Sequence, residues 1–128
     1  MSNIEDNYLY TEDHEWVLPK ENSKKVKVGI TDFAQSSLGD ITFVELPEIG
    51  FELKKGQSFG SVESVKAVSD LYAPINGKVI SVNEDVINDP AIVNSDPYKQ
   101  AWMLEVEISS EKELQSLLNS EKYRSLSV

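Results

Sequence analysis

Residues Gly60-Ser-Val-Glu-Ser-Val-Lys66-Ala-Val-Ser-Asp70 read as two short extended runs meeting at a tight turn, with Lys66 at or beside the tip. On a pleated strand Val62, Ser64 and Lys66 fall to one side and Ser61, Glu63 and Val65 to the other. The chain sets off again through Ala67 to Tyr72 and stops at Ala73-Pro-Ile-Asn-Gly77, a dense cluster of turn signals. Lys66 is the only basic residue between Lys55 and Lys78, and Glu63 and Asp70 flank it. Little can surround a hairpin tip, so it makes a poor catalytic pocket. It is well placed to present one amine to the active site of another protein. A purely solubilising turn would more often carry Gly, Asn or Asp at its tip, whereas here Val65, Ala67 and Val68 stand around the lysine.

Toward the N-terminus, Gln57 to Val62 leads into this hairpin, and turns at Glu48-Ile-Gly50 and Lys54-Lys-Gly56 separate it from a strand over Asp40 to Leu46. Thr31 to Gly39 reads as a short helix. Thr31 can cap its free amides, Asp32 suits the positive end, and Gly39 can take the left-handed stop. Val26, Val28 and Ile30 alternate with Lys27 and Gly29 as a half-buried strand, joined through a charged loop at Glu21 to Lys25 to a strand at Glu15 to Leu18. Residues 1–7 are polar and read as a loose tail, leaving residues 8–128 as a single domain.

Toward the C-terminus, Lys78 to Val82 is a further strand and Asn83 to Pro97 is polar and turn-rich. Trp102, Leu104, Val106 and Ile108 alternate with Met103, Glu105 and Glu107, the clearest amphipathic strand in the chain. Ser110-Glu-Lys-Glu113 has the pattern of a capping box, with Leu114, Leu117 and Leu118 as a helical face behind it, and Glu121 to Leu126 adds one more turn. Eight or nine short strands with two or three short helices make a mostly β fold, a small sandwich or barrel.

The 128 residues suffice for one modest core. A formal charge of -10 would repel nucleic acid and anionic membranes and suits a protein partner with a basic face. No apolar run is long enough to span a membrane, and the acidic start is unlike a secretory or transit signal. With no cysteine, sulfur redox chemistry has to come from an attached group or a partner.

Catalytic constellations are nearly absent. His14 is the only histidine, which rules out sites with two, and it reads as a structural hydrogen-bonding residue beside Trp16. No phosphate-binding glycine loop or nucleophile elbow occurs. Glu12-Asp13 and Glu105 with Glu107 read as solvated faces, and Trp16 and Trp102 as core or half-core packing. Lys66 alone carries a concrete chemical claim.

Ordered blocks along the chain resemble one family. They are Tyr10-Thr-Glu-Asp-His14-Glu-Trp-Val17, Val28-Gly-Ile-Thr-Asp-Phe-Ala-Gln35, Leu38-Gly-Asp40, Val44-Glu-Leu-Pro47, Glu63-Ser-Val-Lys66-Ala, Ala73-Pro-Ile-Asn-Gly77, Val82-Asn83 and Asn94-Ser-Asp-Pro-Tyr98. Together they are similar to the glycine cleavage system H protein, from about Tyr8 to Leu126. The resemblance implies a lipoyl/biotinyl carrier-type barrel-sandwich hybrid and a non-enzymatic shuttle. It implies lipoic acid in amide linkage to Lys66. Its dithiolane would accept an aminomethyl group at the pyridoxal-phosphate-dependent glycine decarboxylase and deliver it to the tetrahydrofolate-dependent aminomethyltransferase. Reoxidation would fall to dihydrolipoamide dehydrogenase, and a lipoyl ligase or octanoyltransferase would install the arm. By matching positions, Glu15 and Asp70 are expected to shelter the loaded arm. A bacterial cytoplasm is the expected home, given Met1, or a mitochondrion if a presequence has been removed.

Departures from the family pattern are Ala101, where a glycine is usual, and Ser37, where some members carry His. A biotin carrier would flank its lysine with methionines, but Val65 and Ala67 stand here. A 2-oxo-acid dehydrogenase lipoyl domain would be followed by an Ala/Pro-rich linker. The alternative of another class is an H-like relay protein that donates lipoyl groups to other enzymes.

Overall fold

A computed structural model describes residues 2–126. Nine strands form two antiparallel sheets: β1 (Leu9–Tyr10), β2 (Glu15–Pro19), β3 (Lys25–Ile30), β4 (Ile41–Glu45), β5 (Glu52–Leu53), β6 (Ser58–Ser64), β7 (Val68–Tyr72), β8 (Gly77–Val82) and β9 (Leu104–Glu107). One sheet has the order β1-β2-β3-β9-β8-β5, the other β4-β6-β7. The mostly β expectation is therefore met, and so is the hairpin built around Lys66.

The alternating valines of β3 face a core shared with Val17, Val44, Val62, Leu71, Val79, Leu104 and Val106. Each such side chain removed from water stabilises by roughly 1.5–3 kcal/mol before entropy is charged against it. A second, aromatic cluster joins Tyr8, Tyr10, Trp16, Tyr98 and Tyr123 at one end. There Trp16 Nε1 donates to the Pro97 carbonyl at 3.0 Å, and Tyr8 Oη to the Tyr98 carbonyl at 2.6 Å.

Helix α1 (Asp32–Leu38) begins and ends as its sequence predicts: Thr31 Oγ1 accepts from Ala34 N, and Gly39 closes it at φ +83°. Elsewhere long-range contacts override local pattern. The stretch 83–97 holds α2 (Glu84–Asn88) and α3 (Ile92–Ser95), each too short for a readable apolar period. Residues 111–114 form a single 3-10 turn that does not continue as a helix through Leu117 and Leu118. Ser110 Oγ accepts from Lys112 N, while Glu113 turns away to Asn76. Leu118, expected on a helical face, instead pairs backbone to backbone with Tyr10. The last helix, α4 (Ser120–Arg124), buries Tyr123 completely.

The described part of the tail is tied to the body: Asn3 N donates to Asp32 Oδ2 at 2.8 Å, Tyr98 Oη to the Asn3 carbonyl at 2.6 Å, and Arg124 pairs with Asp6 at 3.0 Å. Met1, Ser127 and Val128 of the expected 1–7 and 8–128 boundaries lie outside the described residues. In the stretch 102–108 the expected alternation starts only at Leu104: Met103 and Trp102 both precede β9, Met103 is buried, and Trp102 is half-buried with Lys27 Nζ over its ring at 5.1 Å.

Candidate functional site

The β6–β7 hairpin turns through Val65, Lys66 and Ala67, all exposed. None of the three has a positive φ, so the turn needs no glycine. Ser64 supplies what a turn residue normally would. Its Oγ accepts from Lys66 N at 3.3 Å and Ala67 N at 3.1 Å, and its own N–H donates to the Ala67 carbonyl at 2.8 Å. Sequence reading passed over Ser64, although a serine beside a short turn is a known source of such bonds.

The tip leans on the bend between α1 and β4. Val65 N donates to the Asp40 carbonyl at 3.1 Å, and the Lys66 stem passes over Gly39, its Cε 3.5 Å from where a β-carbon on that glycine would lie. Among the described residues no carboxylate lies within ion-pair distance of the Lys66 ammonium. Val65 is 71% and Val68 68% exposed. On the outer face of this sheet Phe43, Glu63 and Val68 form one cross-strand row and Glu45, Ser61 and Asp70 the next. An exposed amine between apolar neighbours, on a braced tip, fits an acyl group in amide linkage, since acylation removes the charge and leaves an uncharged arm beside apolar side chains.

Asp70 is exposed and four residues from Lys66, roughly 13 Å at strand rise. Glu15 lies at the opposite extreme of burial, 3% exposed on β2. Its Oε1 meets Thr11 Oγ1 at 2.9 Å and its Oε2 accepts from Tyr72 N at 3.3 Å. Burial pushes the carboxyl up to about 8, with the Thr11 and Tyr72 bonds pulling the other way. β7 is an edge strand of its sheet, so Glu15 caps an edge amide two residues beyond Asp70. The fold thus sets both carboxyls along one edge, one open to solvent, the other enclosed and with its pKa raised to about 8 by burial.

His14 does not pack on Trp16 as expected. It sits in the left-handed region at φ 68°, against Phe33, with Nδ1 2.8 Å from Tyr123 Oη. Tyr123 Oη also meets Thr31 Oγ1 at 2.8 Å, so the hydrogen-bonding role is met with a partner more than a hundred residues away. Ser37 is exposed on α1, and Ala101 is buried without a positive φ, so alanine fits there unstrained. No group of three or more metal-ligating side chains occurs among the described residues, and no helix of the described residues is long and apolar enough to cross a membrane.

Two antiparallel sheets that share a core and raise one lysine at a hairpin tip match the architecture expected of a lipoyl/biotinyl carrier domain. The comparison with known proteins agrees. The family model for the glycine cleavage H-protein matches residues 8–128. The glycine cleavage system H protein of Oceanobacillus iheyensis is 58% identical over 115 residues, 90% of each chain. That of Carboxydothermus hydrogenoformans is 55% identical over 126 residues, 98% of this chain and 95% of the relative. A crystal structure of a glycine cleavage system H protein from Mycobacterium marinum superposes with a TM-score of 0.88 at 38% identity, covering 97% of this chain and 98% of that one. The chain belongs to the glycine cleavage H-protein family, a family of lipoyl carriers in glycine cleavage.

Proposed function

We propose that Lys66 is the lipoyl attachment residue and that the chain shuttles the aminomethyl group of glycine between enzymes. The observation that carries this is the braced, exposed tip, with an unpaired ammonium among the described residues. Lys66 would hold lipoic acid in amide linkage, and the group would supply a redox-active disulfide able to carry an aminomethyl group from glycine decarboxylase to the tetrahydrofolate-dependent aminomethyltransferase, with dihydrolipoamide dehydrogenase restoring the disulfide.

The chain's own residues supply presentation and shelter. Ser64 and the Asp40 carbonyl hold the turn, so the arm's root is fixed while its length stays free. Asp70 offers a charged acceptor to the cargo's amine on the route down β7. Burial raises the Glu15 pKa to about 8, and an ammonium brought beside it would favour the charged carboxylate, because an opposite charge lowers a carboxyl's pKa. The acidic and apolar outer face, with Glu45, Glu63, Phe43 and Val68, suits partners that bring a basic, partly apolar surface. Bacterial relatives and the absence of an apolar helix among the described residues support a cytoplasmic setting.

Treatment with a lipoyl ligase, lipoate and ATP, followed by intact mass and peptide mapping, tests the attachment. One lipoyl increment on Lys66 is expected, and an increment elsewhere or none would overturn the reading. The lipoylated chain is then expected to support exchange of carbon dioxide into glycine with glycine decarboxylase. Lipoyl donation without exchange would instead indicate a relay protein.

A further inference from the structure

We propose that Asn94 is a positioning residue for Lys66: its side-chain amide holds the Gly39–Asp40–Ile41 bend, and that bend sets where the hairpin tip presents its lysine. This rests on the reading of Lys66 as the residue acylated. Asn94 Oδ1 accepts from Ile41 N at 2.9 Å, and Nδ2 donates to the Gly39 carbonyl and to Gln35 Oε1, both at 2.9 Å. Both donors and the acceptor are therefore used. The opposite amide orientation would set donor against donor at Ile41 and acceptor against acceptors at Gly39 and Gln35, so only one orientation works.

That orientation is inherited from further away. Gln35 Nε2 donates to Asp32 Oδ1 at 2.7 Å, and Asp32 Oδ2 accepts from Asn3 N at 2.8 Å. An ionised carboxylate only accepts, so Asp32 fixes the direction of Gln35, and Gln35 fixes that of Asn94. The relay ends where it matters for presentation. Gly39 lies under the Lys66 stem, the Asp40 carbonyl takes Val65 N, and Ile41 pairs with Ser64. The β4–β6 ladder shifts register between Ile41 and Phe43, so regular pairing alone does not secure this end of β4. Asn94 takes over the Ile41 amide at that break.

Asn83 is a built-in control. Its Nδ2 donates to the carbonyls of Gln100 and Trp102 and its Oδ1 accepts from Asp85 N, the same staple chemistry on elements other than the tip. The experiment compares Asn94→Ala and Asn83→Ala in full-length protein. It reads melting temperature, hydrogen exchange at the Val65 amide, and kcat and KM for the apo-protein as substrate of a lipoyl ligase with lipoate and ATP. Both variants are expected to melt lower. Only Asn94→Ala is expected to speed Val65 exchange about tenfold and raise KM about five- to tenfold, with kcat within about twofold, as befits a tip less often in its accepted place. Asn94→Asp sets a carboxylate against Gln35 Oε1 and is expected to do as much harm. Adding Asp32→Asn reverses the polarity of the whole relay and is expected to recover part of the KM. Unchanged exchange and KM in Asn94→Ala, or equal changes in Asn83→Ala at matched melting temperature, would overturn the proposal. If Asn94→Ala does not fold, Gln35→Met breaks the same relay one link away and is judged by the same criteria. If the unaltered protein is not lipoylated at Lys66, the carrier reading fails, and Val65 exchange still decides whether Asn94 braces the tip.

Discussion

Glu15 Oε2 accepts a hydrogen bond from Tyr72 N at 3.3 Å, joining a buried carboxyl of the six-stranded sheet to an edge strand of the three-stranded one. Fifty-seven residues separate the two in sequence. Burial raises the Glu15 pKa from 4.5 to about 8, so the native state holds a proton that the unfolded chain releases above about 4.5. This contribution is fully present below the unfolded value and is lost as pH rises toward 8. In that window Glu15 lowers stability with a slope of at most about 1.4 kcal/mol per pH unit. Glu15→Gln keeps the shape of the protonated acid without the titration. Denaturant unfolding at several pH values is expected to show the variant gaining on the unaltered protein between pH 5 and pH 8. Parallel curves would show that Glu15 is ionised where it lies.

Asp70 and Glu15 divide the proposed shelter between them. Asp70→Asn removes the exposed charge near the tip and is expected to shorten the life of the loaded arm by severalfold, read as faster release of ammonia and formaldehyde. Lipoylation should proceed as before, because the Ser64 bonds that shape the turn are untouched. Unchanged release in both Asp70→Asn and Glu15→Gln would remove the two residues from that role.

Lys66→Ala is expected to fold normally. The side chain is exposed, and surface substitutions of this kind usually stay within about 0.5 kcal/mol. The variant should take no lipoyl group and carry nothing. A large fall in melting temperature would mean that the stem's contact with Gly39 is structural.

Gly29 is required by Trp16. A β-carbon on Gly29 would lie 2.5 Å from Trp16 Cζ2, and Trp16 is fully buried. Gly29→Ala therefore overpacks the aromatic cluster, at a cost of about 1–3 kcal/mol. The denaturant midpoint should fall with the slope unchanged.

Tyr123 Oη meets both His14 Nδ1 and Thr31 Oγ1 at 2.8 Å, which fastens α4 to the start of α1. Tyr123→Phe leaves those partners short of a bond, and the expected loss is about 1–3 kcal/mol. Amide exchange in α4 should rise more than in β6, which the hydroxyl does not touch.

The local features of this protein were legible in its residues because each is decided within a few positions. Thr31 and Gly39 bound α1 through their own side chain and backbone, the alternation of Val26, Val28 and Ile30 makes β3 one-sided, and the two extended runs on either side of Lys66 leave a hairpin as the available path. The ordered blocks from Tyr10 to Tyr98 carried the family for the same reason: they are strings of identities that need no third dimension. What the tertiary structure alone decided are matters of which distant segments meet. Leu118 leaves a helical pattern because Tyr10 offers it a strand partner, and the polar N-terminus docks because Asp32 and Tyr98 face it. Glu15 is buried and its pKa raised because β7 closes over it, and Asn94 bonds the Gly39 carbonyl because α3 packs on α1. A carboxyl's solvation and an amide's partners depend on neighbours tens of residues away, and no periodicity along the chain encodes who those neighbours are.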